Sequence, residues 1–352
     1  MLSTYRQALH RIPETDTVLP KTAAYLRAAL QDLDCTVFSP WGDSVCAFFD
    51  CGKTETVAFR SDMDALPITE QTGLPFASCH AGFMHACGHD GHMSILLNLA
   101  QHVSAHKGDC SRNVLLIFQP AEETSGGAKP ICETGILTTY KVTRIYGLHL
   151  WPDLPKNVVA SHPGGMMSRS AELTVTLQGR SVHLARWQEG VDTLATAAEL
   201  IRRLYALAEG KPCLLRFGRM ESGSARNAVS DFTRLDGSLR AFDDNLYAQL
   251  LEDSQAIAAE LSRETHCTID LHTSAGYPPV TNDPALLAQA REVFALEDVA
   301  PTYITEDFSE YQRLCPGVFF LLGTGGAPLH SPHFDFDESV LETGLRLFRA
   351  LL

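Results

Sequence analysis

The run VLLIFQPAEE (Val114–Glu123) decides the fold class. Its first five residues, Val114–Phe118, are apolar without alternation, which suits a strand buried on both faces, as in a parallel sheet covered by helices. Within a few residues the run then passes to two adjacent glutamates, Glu122 and Glu123. Three other stretches share the design. Thr56–Phe59 (TVAF) leads into Asp62 and Asp64, Val142–His149 (VTRIYGLH) ends on His149, and Gly317–Leu322 (GVFFLL) leads through Gly325 to His330. Helical patterns lie between them, at Thr22–Leu33, with Ala23, Leu26, Leu30 and Leu33 on one face, and at Gly91–His106. Alternating strands and helices predict an α/β layered domain built on a mixed, mainly parallel sheet. Open sheets of this kind bind ligands beyond the carboxyl ends of their strands, and four strands here deliver Asp, Glu, Glu, His and His to one edge.

The section from Ser168 to Gly276 has another texture. In AELTVTLQG, Leu173, Val175 and Leu177 alternate with Glu172, Thr174, Thr176 and Gln178, the pattern of a half-exposed antiparallel strand. A helix, two strands, a second helix and the alternating HCTIDLHT follow. That β-α-β-β-α-β order predicts an inserted ferredoxin-like α+β domain. The expected division is therefore residues 1–167 and 277–352 for a discontinuous catalytic domain and 168–276 for a satellite domain. The chain length of 352 agrees, since single cores stop growing near ~250–300 residues.

A formal net charge of −14 without a Lys/Arg run argues against nucleic acid and anionic membranes as partners. No window approaches the roughly 18 apolar residues of a membrane span, and the first residues are polar and helical, unlike an export signal. Ten scattered cysteines without such a signal read as free thiols in a reducing cytoplasm.

The richest cluster is ACGHDGH, Ala86–His92. Gly88 gives the backbone a tight path that lets Cys87 and His89 face one centre, and the N-terminus of the following helix favours a thiolate at Cys87. Metal site, nucleophilic cysteine and capped polar helix start all remain open on this stretch alone. In FQPAEE, paired carboxylates can divide their work: one holds a metal ion while its neighbour takes a proton from water acidified by that ion. His149 and His330 each have ordinary readings, as a core histidine and as a loop residue with His333 as competitor. Taken jointly, Cys87, His89, Glu123, His149 and His330 supply enough donors for a two-metal centre. The mixed N/O/S set suits zinc, with manganese, cobalt or nickel as alternatives and a thiolate weighing against manganese.

FRSDMDALPITEQTG, HACGHDGHM, FQPAEE, YGLHLWP, TEDFSEY and PGVFFLLGTGGAPLHSPHFDFDE together resemble the M20 metallopeptidase/aminoacylase family in its amidohydrolase branch, nearly end to end. That branch holds N-acyl-amino-acid amidohydrolases, hippurate hydrolases, auxin-conjugate hydrolases and N-acetyldiaminopimelate deacetylases. The resemblance implies two divalent metal ions held by Cys87, His89, Glu123, His149 and His330. It makes Glu122 the general base and Asp64 an aspartate that orients a ligand. It also implies a homodimer through the satellite domain, with His183 of GRSVHLARW steadying the oxyanion in its own or a partner's site, and Asn227 and Arg240 holding the substrate carboxylate. Two departures touch the substrate pocket: HLARWQ stands where relatives read GHAS-x-P, and SGSARNAVS where they read GTAFNVIPD.

The expected activity is metal-assisted hydrolysis of the amide bond of small N-acyl amino acids, with N-acetyldiaminopimelate as the specific alternative. A Cys-His nucleophilic hydrolase using Cys87 and a non-catalytic binding homologue are the rivals. Chelators separate the first rival, which would ignore them, and loss of Glu122 or a ligand would mark the second.

Overall fold

The computed structural model describes residues 1–352. The chain forms two compact units, one of Met1–Met166, Thr281–Ala300 and Glu306–Leu352, the other of Met167–Val280 and Pro301–Thr305.

The first unit is built on an eight-stranded sheet in the order Thr36–Phe38, Val45–Phe49, Asn113–Gln119, Thr56–Asp62, Val142–Trp151, Gly317–Gly323, Val159–Ser161 and Glu297–Asp298. The central pairings, from Asn113–Gln119 across to Gly317–Gly323, are all parallel. Every residue of Asn113–Gln119, Thr56–Asp62 and Gly317–Gly323 is buried, which is why Val114–Phe118, Val57–Phe59 and Val318–Leu322 within them read as unbroken apolar runs. Their register sets Asp62 opposite Gln119, and Leu321 opposite His149, so the polar residues beyond the strands emerge at one edge.

The helix His89–Ala105 is buried along most of its length and packs against Leu2–His10 and Val340–Ala350. It begins two residues earlier than the apolar pattern predicts, because Gly88 takes the N-cap position in the left-handed region (φ +84°). Asp90 therefore lies inside the first turn. Arg6, 1% exposed, places its Nε 3.3 Å from Asp90 Oδ2, and His10 Nδ1 lies 2.8 Å from the same oxygen. This buried group ties the amino-terminal helix to the helix that carries His89.

In the second unit the order is strand Arg169–Gln178, helix Thr193–Ala208, strands Cys213–Ser222 and Phe232–Ala241, helix Asp244–Thr265 and strand Thr268–Thr273. The sheet runs Thr268–Thr273, Arg169–Gln178, Phe232–Ala241, Cys213–Ser222, with every neighbour antiparallel. Ala171, Leu173, Val175 and Leu177 face Leu200, Leu204, Leu250 and Leu261 of the two helices in one core. Asp192 and Asp243 cap those helices by accepting backbone N–H groups of the first turn. Pro301–Thr305 joins this unit through Ser168, whose N–H donates to Thr302 O at 3.2 Å. No helix is long and apolar enough to cross a membrane.

Candidate metal centre

Four segments of the first unit bring the donors together: the helix start with Cys87 and His89, the turn with Glu123, the strand end with His149 and the loop with His330. Cys87 Sγ lies 3.4 Å from His149 Nε2. His89 Nε2 lies 3.8 Å from Glu123 Oε1, and His330 Nε2 lies 3.2 Å from that same oxygen. The donor atoms of Cys87, His89 and Glu123 all fall within 4.8 Å of one another. His330 reaches the group from a loop whose backbone is pinned by its own N–H to Ala86 O at 2.9 Å.

The ring nitrogens are sorted by their second partners. His89 Nδ1 donates to the Asp64 carbonyl at 2.8 Å, and His149 Nδ1 donates to the Leu150 carbonyl at 2.7 Å. Each ring thus turns Nε2 toward the cluster, where it can ligate once it carries no proton, as metal-binding histidines do. His92 is used differently. Its Nδ1 meets Asp62 Oδ1 at 2.6 Å and its Nε2 accepts from Leu150 N–H at 2.9 Å, so both nitrogens are committed and His92 braces the strand end that carries His149.

A divalent cation fits this set. His89 Nε2 is buried without a hydrogen-bond partner, although buried polar atoms are normally paired, and Glu123 Oε1 is buried with the His330 imidazole against it at 3.2 Å but without a well-directed hydrogen bond. Both lie beside a thiol and two further imidazoles, the mixed donors that suit zinc-like ions. The charges agree. Without a cation at the centre, burial, then Glu123 and Glu122, push the Cys87 thiol well above its usual range, so the helix N-terminus alone does not ionise it. Burial would keep His89 neutral, but Asp62, Asp64 and Glu123 outweigh it and raise it to about 10. Burial, reinforced by His92, lowers His149 to about 3. Against burial, His330 and His89 hold Glu123 down to about 2.

Loading with Zn²⁺ is accordingly expected to release protons, and the apparent affinity to rise with pH, because thiol and imidazolium must both deprotonate to ligate. Calorimetry in two buffers of different ionisation enthalpy counts the protons. Release of none would remove Cys87 and His89 from the ligand set.

Glu122 stands beside these donors on the turn after Asn113–Gln119. Ala121 bends the chain there with φ +62°. The Asp64 carboxylate grips the bend from the neighbouring strand, accepting Glu122 N–H at 3.1 Å on one oxygen and Glu123 N–H at 3.0 Å on the other. Burial, then Glu306, Glu123 and Asp307, raise Glu122 well above the usual carboxylate range. A cation among these carboxylates would oppose that rise.

Gly127 closes the turn in ordinary helical φ/ψ, yet a Cβ there would stand 1.9 Å from the Pro120 carbonyl oxygen. Gly127→Ala is expected to shift Pro120 and the glutamates after it. Stability should fall by about 1–3 kcal/mol, with a loss of turnover alongside. Thermal unfolding and steady-state rates check both.

Behind the turn lies a polar network whose roles the sequence did not reveal. Arg60, 1% exposed, donates to Gln119 Oε1 (2.9 Å), Asp62 Oδ2 (2.9 Å) and Asp307 Oδ1 (2.8 Å), with Glu306 Oε1 at 3.1 Å. Asp307 also accepts from Gln119 Nε2 and from Ala128 N–H at 2.9 Å, so it holds both ends of the glutamate turn. The motifs FRSD and TEDFSEY carry these residues, but nothing local distinguishes a buried arginine from a surface one.

His183, Asn227 and Arg240 belong to the second unit. There Leu184 N–H donates to Asn227 O at 3.0 Å, which sets the chain around His183 beside that around Asn227. His183 is exposed, and its Nδ1 accepts from Ala185 N–H at 3.2 Å. The Arg240 guanidinium donates to the Tyr303 carbonyl.

Residues 58–352 match the sequence profile of Peptidase family M20/M25/M40. An N-acetyldiaminopimelate deacetylase from Shouchella clausii is 33% identical over 362 residues, 99% of this chain and 96% of its own. The Bacillus subtilis YXEP protein, described as a dinuclear metal-binding peptidase of the M20 family, superposes with a TM-score of 0.89 at 28% identity, covering 99% of this chain and 96% of that one. An aminohydrolase from methicillin-resistant Staphylococcus aureus superposes with a TM-score of 0.93 at 27% identity, covering 99% and 94%.

Proposed function

The chain belongs to peptidase family M20/M25/M40 and is an amidohydrolase, and on that footing we propose that it cleaves N-acyl amino acids at the Cys87, His89, Glu123, His149 and His330 centre. The observation that carries the reading is the convergence of the Cys87, His89 and Glu123 donor atoms within 4.8 Å of one another, with His89 Nε2 buried and unpaired and Glu122 on the same turn as Glu123. We assign two divalent ions to the centre, zinc in preference to manganese because a thiol is among the donors. When bound, such ions acidify water and polarise an acyl oxygen. Glu122 takes the proton of the attacking water on its carboxylate and returns it to the departing nitrogen. Asp64 keeps Glu122 and Glu123 in place through their backbone N–H groups and orients His89 through its carbonyl. Roles for His183, Asn227 and Arg240 in holding the substrate rest on their motifs and are tested by single substitutions read as KM against kcat.

Deacetylation of N-acetyldiaminopimelate is the specific form of the proposal, supported by the name of the Shouchella clausii relative. A cysteine nucleophile is disfavoured, since the Cys87 thiol is 6% exposed and pushed away from ionisation. A cytoplasmic location accords with ten free cysteines. A homodimer through the second unit would use its edge strand Cys213–Ser222, and sedimentation measures it.

The test is a screen of N-acetyl, N-benzoyl and N-succinyl amino acids on metal-reconstituted protein, with and without chelator. Chelator-sensitive release of free amino acid is the expected result. Silence on the whole panel, or turnover indifferent to chelation, overturns the reading.

A further inference from the structure

Glu306 and Asp307 stand beside the general base. Carboxylate oxygens of Glu122, Glu306 and Asp307 all lie within 4.8 Å of one another. These acids and Asp62 crowd one cation, Arg60. Asp62 and Asp307 are 0% exposed and Glu306 3%, so water does little to separate their charges. Like charges this close do not all ionise, and one carboxyl of such a group keeps a proton.

The hydrogen bonds say which one. Asp307 accepts from Arg60, from Gln119 Nε2 on both oxygens and from Ala128 N–H. Asp62 accepts from Arg60 on one oxygen and meets His92 Nδ1 at 2.6 Å with the other. Donors on both oxygens favour the ionised form of each. Glu306 has less support. Arg60 Nη2, at 3.1 Å, and Phe308 N–H, at 3.0 Å, both fall on its Oε1, which leaves Oε2 to carry a hydrogen. Arg60, Asp62, Asp307 and Glu122 all act on Glu306. Burial lifts it to about 8, against Arg60 and with Asp307 and Asp62 adding to the rise. Glu122 must be ionised to act as a base, so the proton belongs on Glu306.

We propose that Glu306 is a positioning residue for the general base, its carboxyl O–H donating to the Glu122 carboxylate, directly or through one water, and so fixing which oxygen takes the proton of the attacking water. The inference rests on the amidohydrolase reading of the adjoining centre. Glu306 keeps its own proton through the cycle, and the proton of water travels on Glu122 alone. A mere counter-ion to Arg60 would serve equally on either side of its titration. A donor to Glu122 serves only while protonated.

Glu306→Gln and Glu306→Met separate the two roles. The Gln amide still accepts at Oε1 and donates at Nε2, so it imitates a carboxyl that never loses its proton. On the best substrate of the screen, Glu306→Gln should keep the wild-type kcat near neutral pH. Glu306→Met should lower kcat about tenfold with KM little changed, on the scale of one charge-assisted hydrogen bond. Above neutrality the wild type should lose kcat, as Glu306 ionises and the donor becomes a like charge beside Glu122, while Glu306→Gln stays level. Wild-type and Glu306→Gln profiles that coincide at alkaline pH overturn the proposal. Infrared spectra of the metal-loaded protein without substrate give a second reading that needs neither turnover nor a folded Glu306→Met. A protonated-carboxyl C=O band at neutral pH should vanish in Glu306→Gln and shift in Glu122→Gln. If no substrate of the screen turns over but the band behaves in this way, the amidohydrolase reading fails and the contact stands. A band that is absent, or unmoved by Glu122→Gln, overturns the proposal whatever the turnover.

Discussion

Glu122→Gln is expected to bind its metals as the wild type does and to lose turnover by roughly 10³-fold, the scale of a positioned general base. The substitution keeps shape and volume. The Asp64 clamp acts on the backbone N–H groups of residues 122 and 123, so it survives the change. None of the five donors proposed to hold the metals is altered. What disappears is the carboxylate that accepts a proton and hands it back. Metal analysis of the purified variant, alongside rates on the best substrate of the screen, separates the two outcomes. Loss of metal together with activity would make Glu122 a ligand, and retained turnover would remove it as the base. Cys87→Ser should behave in the opposite sense, losing metal first, because Sγ belongs to the donor set itself.

Arg60→Met should produce the largest loss of stability, about 3–5 kcal/mol, since removing one partner of a buried ionic network strands the others. Here the stranded groups are Asp62, Asp307 and Glu306, at 0%, 0% and 3% exposure. Burial already lifts Glu306 to about 8 with the guanidinium beside it, and without that cation more of these acids must bind protons to stay buried. The melting temperature should fall by on the order of 10 °C. Arg60→Lys should recover only part of this, because one ammonium cannot fork to Gln119, Asp62 and Asp307 together. Activity should fall with stability, as the same network holds both ends of the glutamate turn. An Arg60→Met protein that melts with the wild type would show that the acids find other partners.

The strands were legible because burial on both faces leaves a local mark. Asn113–Gln119 and Thr56–Asp62 lie at the centre of the sheet, and their middle residues, Val114–Phe118 and Val57–Phe59, are apolar without alternation. The half-exposed strand Arg169–Gln178 marked itself by alternation, for the same reason applied to one face. Cys87, His89, Glu123, His149 and His330, proposed from the sequence as ligands, and Glu122, proposed as the base, lie within a few residues of strand ends or a helix start, and the fold brings them together.

The partners of those residues were not legible. Arg60 and Asp307 stand 247 positions apart, and Gln119 and Asp307 188. A hydrogen bond across such a separation leaves no periodic trace, since either residue would read the same on the surface. Nor does a motif say which imidazole nitrogen is free. His89 and His149 present Nε2 to the centre, while His92, in the same cluster, has both nitrogens committed. The Cys87 thiol shows the limit most directly. The nearby helix N-terminus suggests an ionised sulfur, but in the absence of a cation burial and the surrounding carboxylates, which only the folded chain brings together, oppose it. The sequence by itself determined the layers, the edge where polar groups collect and the proposed donors. The tertiary structure decided protonation, tautomer and support, because those depend on the sum of charges within a few ångströms and not on spacing along the chain.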